Sequence, residues 1–252
     1  MAGHSKWSQI KHKKAKVDAQ RGKLFTKLIK ELTAAARVGG GNPDFNPRLR
    51  SAIDKAKSYN MPQDNIEKAI KKGTGELPGV NYEEVEYEGY GPGGIAIIVK
   101  SLTDNKNRTT SEIRHIFSKH GGNLGTTGCV EWQFKTVGML SIKKKEGMTE
   151  DDVMMVALEA GVDDVEEIDD TFEITTSHDN LYNTKKIFEE NNFEIEQAEI
   201  TKIPTNIIKV DSKDAVKILK LIEVLEDNDD VQAVYSNFDI PDEIMEQVSQ
   251  QV

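Results

Sequence analysis

Cysteine is almost absent: Cys129 stands alone in 252 residues, which excludes an internal disulfide and any all-cysteine metal site and fits a reducing compartment. Between Gly128 and Val130 it reads as an inert thiol near a strand start. Long apolar runs are missing as well. No stretch approaches the roughly twenty residues that span a bilayer, and Met1 leads into a polar, basic segment with no apolar signal core. A cytoplasmic protein that does not engage a membrane is expected, and organelle import is not, because patterned sequence begins close to Met1.

Catalytic signatures are lacking too. Gly39-Gly40-Gly41 and Gly91-Pro92-Gly93-Gly94 are not followed by Gly-Lys-Ser/Thr, so neither is a P-loop. The five histidines show no metal-ligand spacing with Cys129, and no serine sits in a nucleophile elbow. The reading is therefore a non-enzyme with no catalytic residues, no bound metal and no cofactor. The acidic residues from Glu150 to Glu173 lie on one helix and an adjacent turn, where a solvated face explains them better than a convergent metal site.

What the chain does have is segregated charge. The formal net charge is −10, yet residues 1–76 hold 17 Lys+Arg against 7 Asp+Glu, a net of +10, leaving −20 for the remainder. A basic block on an acidic body can neutralise phosphates at one end while the other end is repelled by the same polyanion. Lys6, Lys11, Lys13, Lys14, Lys16, Arg21 and Lys23 are the candidate phosphate contacts, and Trp7 and His12, interleaved with them, are candidate stacking groups. The plain alternative is a solvated lysine-rich face with Trp7 folded onto the core.

Periodicity divides the chain. Leu24, Phe25, Leu28, Ile29, Leu32 and Ala35 recur at helical spacing up to Gly39-Gly40-Gly41. Asn46 and Pro47 open a second helix, and a third follows Pro62 and is expected to end at Gly73. Beyond the 73–79 linker, Val85 and Tyr87 face Ile95 to Val99 across a hairpin turn, and a helix with Ile113, Ile116 and Phe117 runs to Gly121-Gly122. Val130, Trp132 and Phe134 alternate with polar residues, which predicts a half-buried strand at 129–135.

Residues 137–202 contain a complete strand-helix-strand-strand-helix-strand series, with a capping box at Thr149 and Asp152. The same series surrounds it, using strands at 95–101, 129–135, 206–210 and 231–235. The fold class is thus α+β: an N-terminal helical domain followed by two ferredoxin-like α/β domains, the second inserted into the first. The expected divisions are 1–78 for the arm and helical domain, 79–136 with 203–240 for the discontinuous domain, 137–202 for the acidic insert and 241–252 for a tail.

The loop Thr103-Asp104-Asn105-Lys106-Asn107-Arg108-Thr109, between a strand and a helix, is a second candidate site. Thr103, Asn105, Lys106, Asn107, Arg108 and Thr109 can hold an anion or RNA phosphate at a helix N-terminus, or can simply cap the helix with their charges in water.

Several runs in the chain resemble one family. Ala2 to Trp7, Ile10 to Lys14, Pro62 to Ile66, Tyr87 to Gly94, Thr103 to Thr109, Gly121 to Gly125, Val130 to Phe134 and Asp230 to Phe238 are similar to the YebC/PmpR family, which includes the mitochondrial translational activator of cytochrome oxidase subunit one. The resemblance runs the length of the chain. It implies a helical domain and two α/β domains around a cleft, in proteins described as DNA-binding transcriptional regulators or as ribosome-associated factors that help synthesis of difficult sequences such as proline runs.

The expected function is a translation factor, monomeric, whose partner is ribosomal RNA on the ribosome, because a basic arm suits irregular RNA and no recognition helix with a dimeric half-site arrangement stands out. Double-stranded DNA, with a transcriptional role, is the alternative partner. A magnesium-dependent nuclease using Asp151 and Asp152, and an adaptor working through its acidic body, are the weaker readings.

Overall fold

The computed structural model describes residues 18–145, 147–168 and 170–241, with side chains from residue 22 onward. The elements among them are α1 (Asp18–Gly39), α2 (Pro47–Ser58), α3 (Gln63–Thr74), β1 (Glu83–Tyr90), β2 (Ala96–Thr103), α4 (Lys106–Lys119) and β3 (Asn123–Leu124). There follow β4 (Phe134–Lys143), α5 (Glu150–Ala160), β5 (Asp164–Ile168), β6 (Thr171–Thr176), α6 (Leu181–Glu190) and β7 (Ile195–Pro204). Last come β8 (Ile208–Lys209), α7 (Ser212–Asp227), β9 (Val231–Ser236) and β10 (Phe238–Asp239). They form two compact units, Lys135–Ile203 and the remainder on either side of it.

In the larger unit, α1, α2 and α3 bury Leu28, Leu32, Leu49, Ala56, Ile66 and Ala69 against one another. Asn46 starts α2 by accepting the Leu49 N–H at 3.0 Å, and its amide donates to the Ala35 carbonyl at 2.9 Å, so one side chain both caps α2 and fastens it to α1. The expected stop at Gly73 is corrected: α3 continues to Thr74 and ends at Gly75, which takes φ 85°. Gly73 is instead buried against α1, where a Cβ would collide with the Thr33 carbonyl. The residue there answers a close helix approach, not a C-cap.

The remaining elements of this unit form a sheet in the order β3-β1-β2-β9. The hairpin is as expected, with Tyr87 opposite Val99. One face packs on α4 and α7 through Ile97, Val99, Ile113, Phe117, Ile222 and Leu225. The strand order is ferredoxin-like, with one exchange. The segment expected to supply a strand at 206–210 contributes only β8, paired in parallel with β10, and its place in the sheet is taken by β1.

The strand expected at 129–135 is also corrected. Glu131–Gln133 is a single 3₁₀ turn, and only Phe134 onward is extended. The cause is a carboxylate from another strand. Glu88, 3 % exposed, accepts the N–H groups of Gly128, Val130 and Glu131 at 2.6–2.8 Å, which consumes the donors a strand would need and curls the segment around it.

The inserted unit has sheet order β5-β6-β4-β7, the ferredoxin-like arrangement without exchange. Its core is Leu140, Ile142, Val153, Ala157, Phe172, Ile174 and Phe188. Thr149 and Asp152 form the capping box read from the sequence. In the larger unit the two ends of the interruption lie together: the Thr205 N–H donates to the Gln133 carbonyl at 2.8 Å, and the Asn237 amide donates to Gln133 Oε1 at 3.1 Å. The molecule is α+β, a helical domain followed by two ferredoxin-like α/β domains, the second inserted into the first.

Candidate nucleic-acid interface

Lys6, Trp7, Lys11, His12, Lys13, Lys14 and Lys16 lie outside the described residues, as does the side chain of Arg21. The basic block can be followed from Lys23. On α1, Lys23, Lys27 and Lys30 fall at helical spacing on one side, and all three reach the C-terminal end of α7, Lys23 while still exposed. Lys27 donates to the Glu226 carbonyl at 2.5 Å, Lys30 to the Asp229 carbonyl at 2.9 Å, and Lys23 lies 3.6 Å from the Asp227 carboxylate. Cations at a helix C-terminus offset its partial negative charge and occupy carbonyls left without helical donors. Part of the positive charge counted in the sequence is therefore engaged within the fold.

Lys30 goes further. Its ammonium is 2.6 Å from Asp230 Oδ1, with both groups buried, and it lies 5.7 Å from the centre of the Tyr82 ring. The other oxygen of Asp230 accepts from Arg108 at 2.8 Å, from the Thr109 hydroxyl at 2.7 Å and from the Thr103 hydroxyl at 3.2 Å. Burial would push the Asp230 carboxyl up, but the hydrogen bonds from Arg108, Lys30 and Thr109 outweigh it and hold the pKa down at about 2. The Arg108 guanidinium is correspondingly raised, first by its hydrogen bond to Asp230 and then by the one to Asp104.

The 103–109 loop thus binds an anion supplied by the protein itself. Thr103 and Thr109 are fully buried, Asn105 caps α4 by accepting the Arg108 N–H at 3.1 Å, and Lys106 and Asn107 are exposed on the first turn. Beside the network lies a cavity of about 500 Å³, whose lining includes Lys23, Thr26 and Arg108 together with Asp104, Glu112 and Asp227. The carboxylates make it unsuited to a bare phosphate.

Cations do face solvent elsewhere on the helical domain. Arg37 at the end of α1, Lys57 on α2, and Lys68, Lys71 and Lys72 on α3 are all exposed. The 42–46 turn, whose Asn42 and Pro43 line one groove with Lys71, Glu67 and Glu76, presents Phe45, 84 % exposed. This turn is built, since Arg50 donates to the Pro43 carbonyl at 3.1 Å and the Asp44 carbonyl at 3.2 Å, while Asn42 Oδ1 accepts the Asp44 N–H at 2.9 Å. An exposed aromatic is suited to stacking on an unpaired base. Sequence reasoning passed over Phe45, although a phenylalanine between Asn42-Pro43-Asp44 and Asn46-Pro47 sits where no helix can bury it.

Trp132, expected to point inward from a strand, is 71 % exposed, and its indole N–H donates to the Cys129 carbonyl at 3.2 Å. The Tyr90 hydroxyl donates to the same carbonyl at 3.0 Å. Burial, aided by nearby Glu88, pushes the Cys129 thiol up, which disfavours its thiolate, in keeping with the inert thiol read from the sequence. Among the described residues no group of three or more His, Cys, Asp or Glu is placed to hold a metal ion, and no helix is long and apolar enough to cross a membrane.

Residues 5–76 match a model of the TACO1/YebC protein N-terminal domain, and residues 82–238 match a model of the TACO1/YebC second and third domain. A relative from Dictyoglomus turgidum, named "Probable transcriptional regulatory protein", is 58 % identical over 249 residues, covering 99 % of this chain and 100 % of its own. One of the same name from Persephonella marina is 58 % identical over 251 residues, with the same coverage. Among solved structures, the conserved hypothetical protein Aq1575 from Aquifex aeolicus is similar with a TM-score of 0.84 and 52 % identity, covering 92 % of this chain and 95 % of its own.

Proposed function

This chain belongs to the TACO1/YebC family, and from that premise we propose that it is a non-enzymatic, nucleic-acid-binding regulator of gene expression. Its finer role in this proposal is that of a cytoplasmic, monomeric translation factor that docks on ribosomal RNA and assists synthesis of difficult sequences such as proline runs. The observation that carries the reading is the partition of charge. Residues 1–76 hold +10 while the rest of the chain holds −20, so a polyanion is attracted at one end only. The helical domain also exposes Arg37, Lys57, Lys68, Lys71, Lys72 and Phe45.

Lys6, Lys11, Lys13, Lys14, Lys16 and Arg21 contact phosphates in this proposal, and Trp7, His12 and Phe45 stack on bases. Lys23 and the 103–109 loop take a smaller part, because Lys23 is paired with Asp227 and Arg108 with Asp230. The test is co-sedimentation with ribosomes from nuclease-treated lysate over a salt series. The unaltered protein should be recovered in a salt-sensitive manner. Charge reversal of Lys11, Lys13 and Lys14 should abolish recovery at physiological salt, and in a purified RNA titration it should flatten the log–log salt dependence by about 2. Phe45→Ala should weaken binding by roughly 1–3 kcal/mol with an unchanged salt slope. Full recovery of the charge-reversed protein would remove the arm as the anchor.

The relatives' printed names favour a second reading, a DNA-binding transcriptional regulator using the same basic block. It requires binding to one duplex sequence at least about 10³-fold tighter than to random duplex. That ratio, measured beside the ribosome experiment, separates the two.

A further inference from the structure

The inserted unit carries an apolar surface that its own fold leaves uncovered. On α5, Val153, Val156, Ala157 and Ala160 are buried against the sheet. The opposite side of the same helix bears Met155, 66 % exposed, and Leu158, 76 % exposed, with Met154 on the flank at 37 %. Helical geometry puts Asp151 in line with Met155 and Leu158 and puts Glu150 and Glu159 on the two edges of that stripe. A helix that needed only to cover its sheet would place polar residues at 155 and 158. Two unbranched methionines beside a leucine make instead a deformable apolar surface of the kind that accepts varied partners.

Charge narrows the occupant. Residues 135–203 hold 7 Lys+Arg and 18 Asp+Glu, a net of −11, which exceeds the net negative charge of the whole chain. Phosphate-bearing ligands are repelled from such a surface, and an acidic protein segment gains nothing there. We propose that the outer face of α5 is a docking site for a basic amphipathic protein helix, whose apolar side lies on Met154, Met155 and Leu158 while its lysines or arginines meet Glu150, Asp151 and Glu159. The mode is an amphipathic helix on a methionine-containing surface ringed by carboxylates. This inference does not rest on the proposed RNA contact, because it uses a separate unit of opposite charge. If the protein works on a ribosome, it assigns the insert to a protein neighbour and the basic arm to RNA.

The test uses the full chain and three labelled probes in fluorescence anisotropy: a 20-residue lysine/leucine peptide patterned as an amphipathic helix, the same composition scrambled to remove the stripe, and a 20-nucleotide single-stranded RNA. The patterned peptide should bind at least tenfold tighter than the scrambled one. The double variant Met155→Ser with Leu158→Ser, altered only at exposed positions and checked for an unchanged Tm, should lose at least tenfold of that affinity. Lys11/Lys13/Lys14 reversal should leave peptide binding intact, so that failure of the RNA reading and failure of this one are distinguishable. Equal binding of patterned and scrambled peptides, binding indifferent to the serine variant, or no peptide binding would each overturn the proposal. So would RNA affinity lost in the serine variant, or self-association by sedimentation that the serine variant abolishes, since the face would then serve RNA or a second copy.

Discussion

The sheet assembled from both sides of the insert, with the helix on it, buries the hydrogen-bonded Glu88, Thr103, Thr109, Gln133, Asp230 and Asn237, beside Ser101 and Ser236, whose hydroxyls have no partner among the described residues, whereas Thr176 and Thr184 are the buried polar side chains of the insert among the same residues. Both sheets have ferredoxin-like strand order, apart from the exchange of β1 in the first, so the difference is not mainly one of architecture. It follows from continuity. The insert is one uninterrupted segment that pairs its own strands, β4 with β6 and β7, over a largely apolar core. The other domain must bring β1 and β2 to β9 across the whole insert, and its buried polar partners, such as Lys30 with Asp230 or Ala96 with Asn237, are satisfied only in the native pairing. A buried polar group left without its partner costs about 1–3 kcal/mol, so alternative pairings of the discontinuous sheet are penalised.

Removing the centre of that network should have the largest effect. Asp230→Ala leaves the buried Lys30 ammonium without its counter-ion and unties Thr103, Thr109 and Arg108 at once. A loss of about 3–5 kcal/mol is expected in urea unfolding, the range for breaking one partner of a buried pair. Hydrogen exchange should show the loss in α1, α4 and β9, with β4, β6 and α5 of the insert still protected. A uniform loss over both units would break the contrast drawn between them.

Acid offers a graded version. The Asp230 carboxyl titrates at about 2 in the folded protein, against about 3.9 in an unfolded chain. Its folded value is depressed, so its contribution is complete above the unfolded value and is lost as pH falls from about 4 through 2. The amount is about 2–3 kcal/mol. Urea midpoints at pH 5 and pH 2.5 should differ more in the unaltered protein than in Asp230→Asn, which has no proton to take up. Equal differences in the two proteins would show that other carboxylates carry the acid sensitivity.

The same contrast explains what the sequence disclosed. The insert was legible as strands, helices and even a capping box at Thr149, since every signal lies within a few residues of its consequence. In the discontinuous sheet the errors fall where a distant residue decides. Val130-Glu131-Trp132 has the alternation of a strand, yet Glu88, some forty residues away, takes its N–H groups and turns Trp132 to solvent. Gly73 looks like a helix stop, and its real constraint is the Thr33 carbonyl on α1. In the candidate interface, the basic block was plain from composition. That Lys23, Lys27 and Lys30 would turn toward α7 was not, because their acceptors lie about two hundred residues later.

The smallest effect should come from the insert's own most local device. Thr149 caps α5 by accepting the Asp152 N–H, and Thr149→Ala should cost about 1 kcal/mol. If the insert is stabilised locally, the lost hydrogen-exchange protection should stay within α5 and the strands it covers, leaving α1, α4 and β9 unchanged. The double variant with Asp230→Ala should then be additive to within about 0.5 kcal/mol, as for sites with no shared partner. Coupling well beyond that value would mean that the polar network of the discontinuous sheet also supports the insert, and that the two sheets are held by one set of interactions and not two.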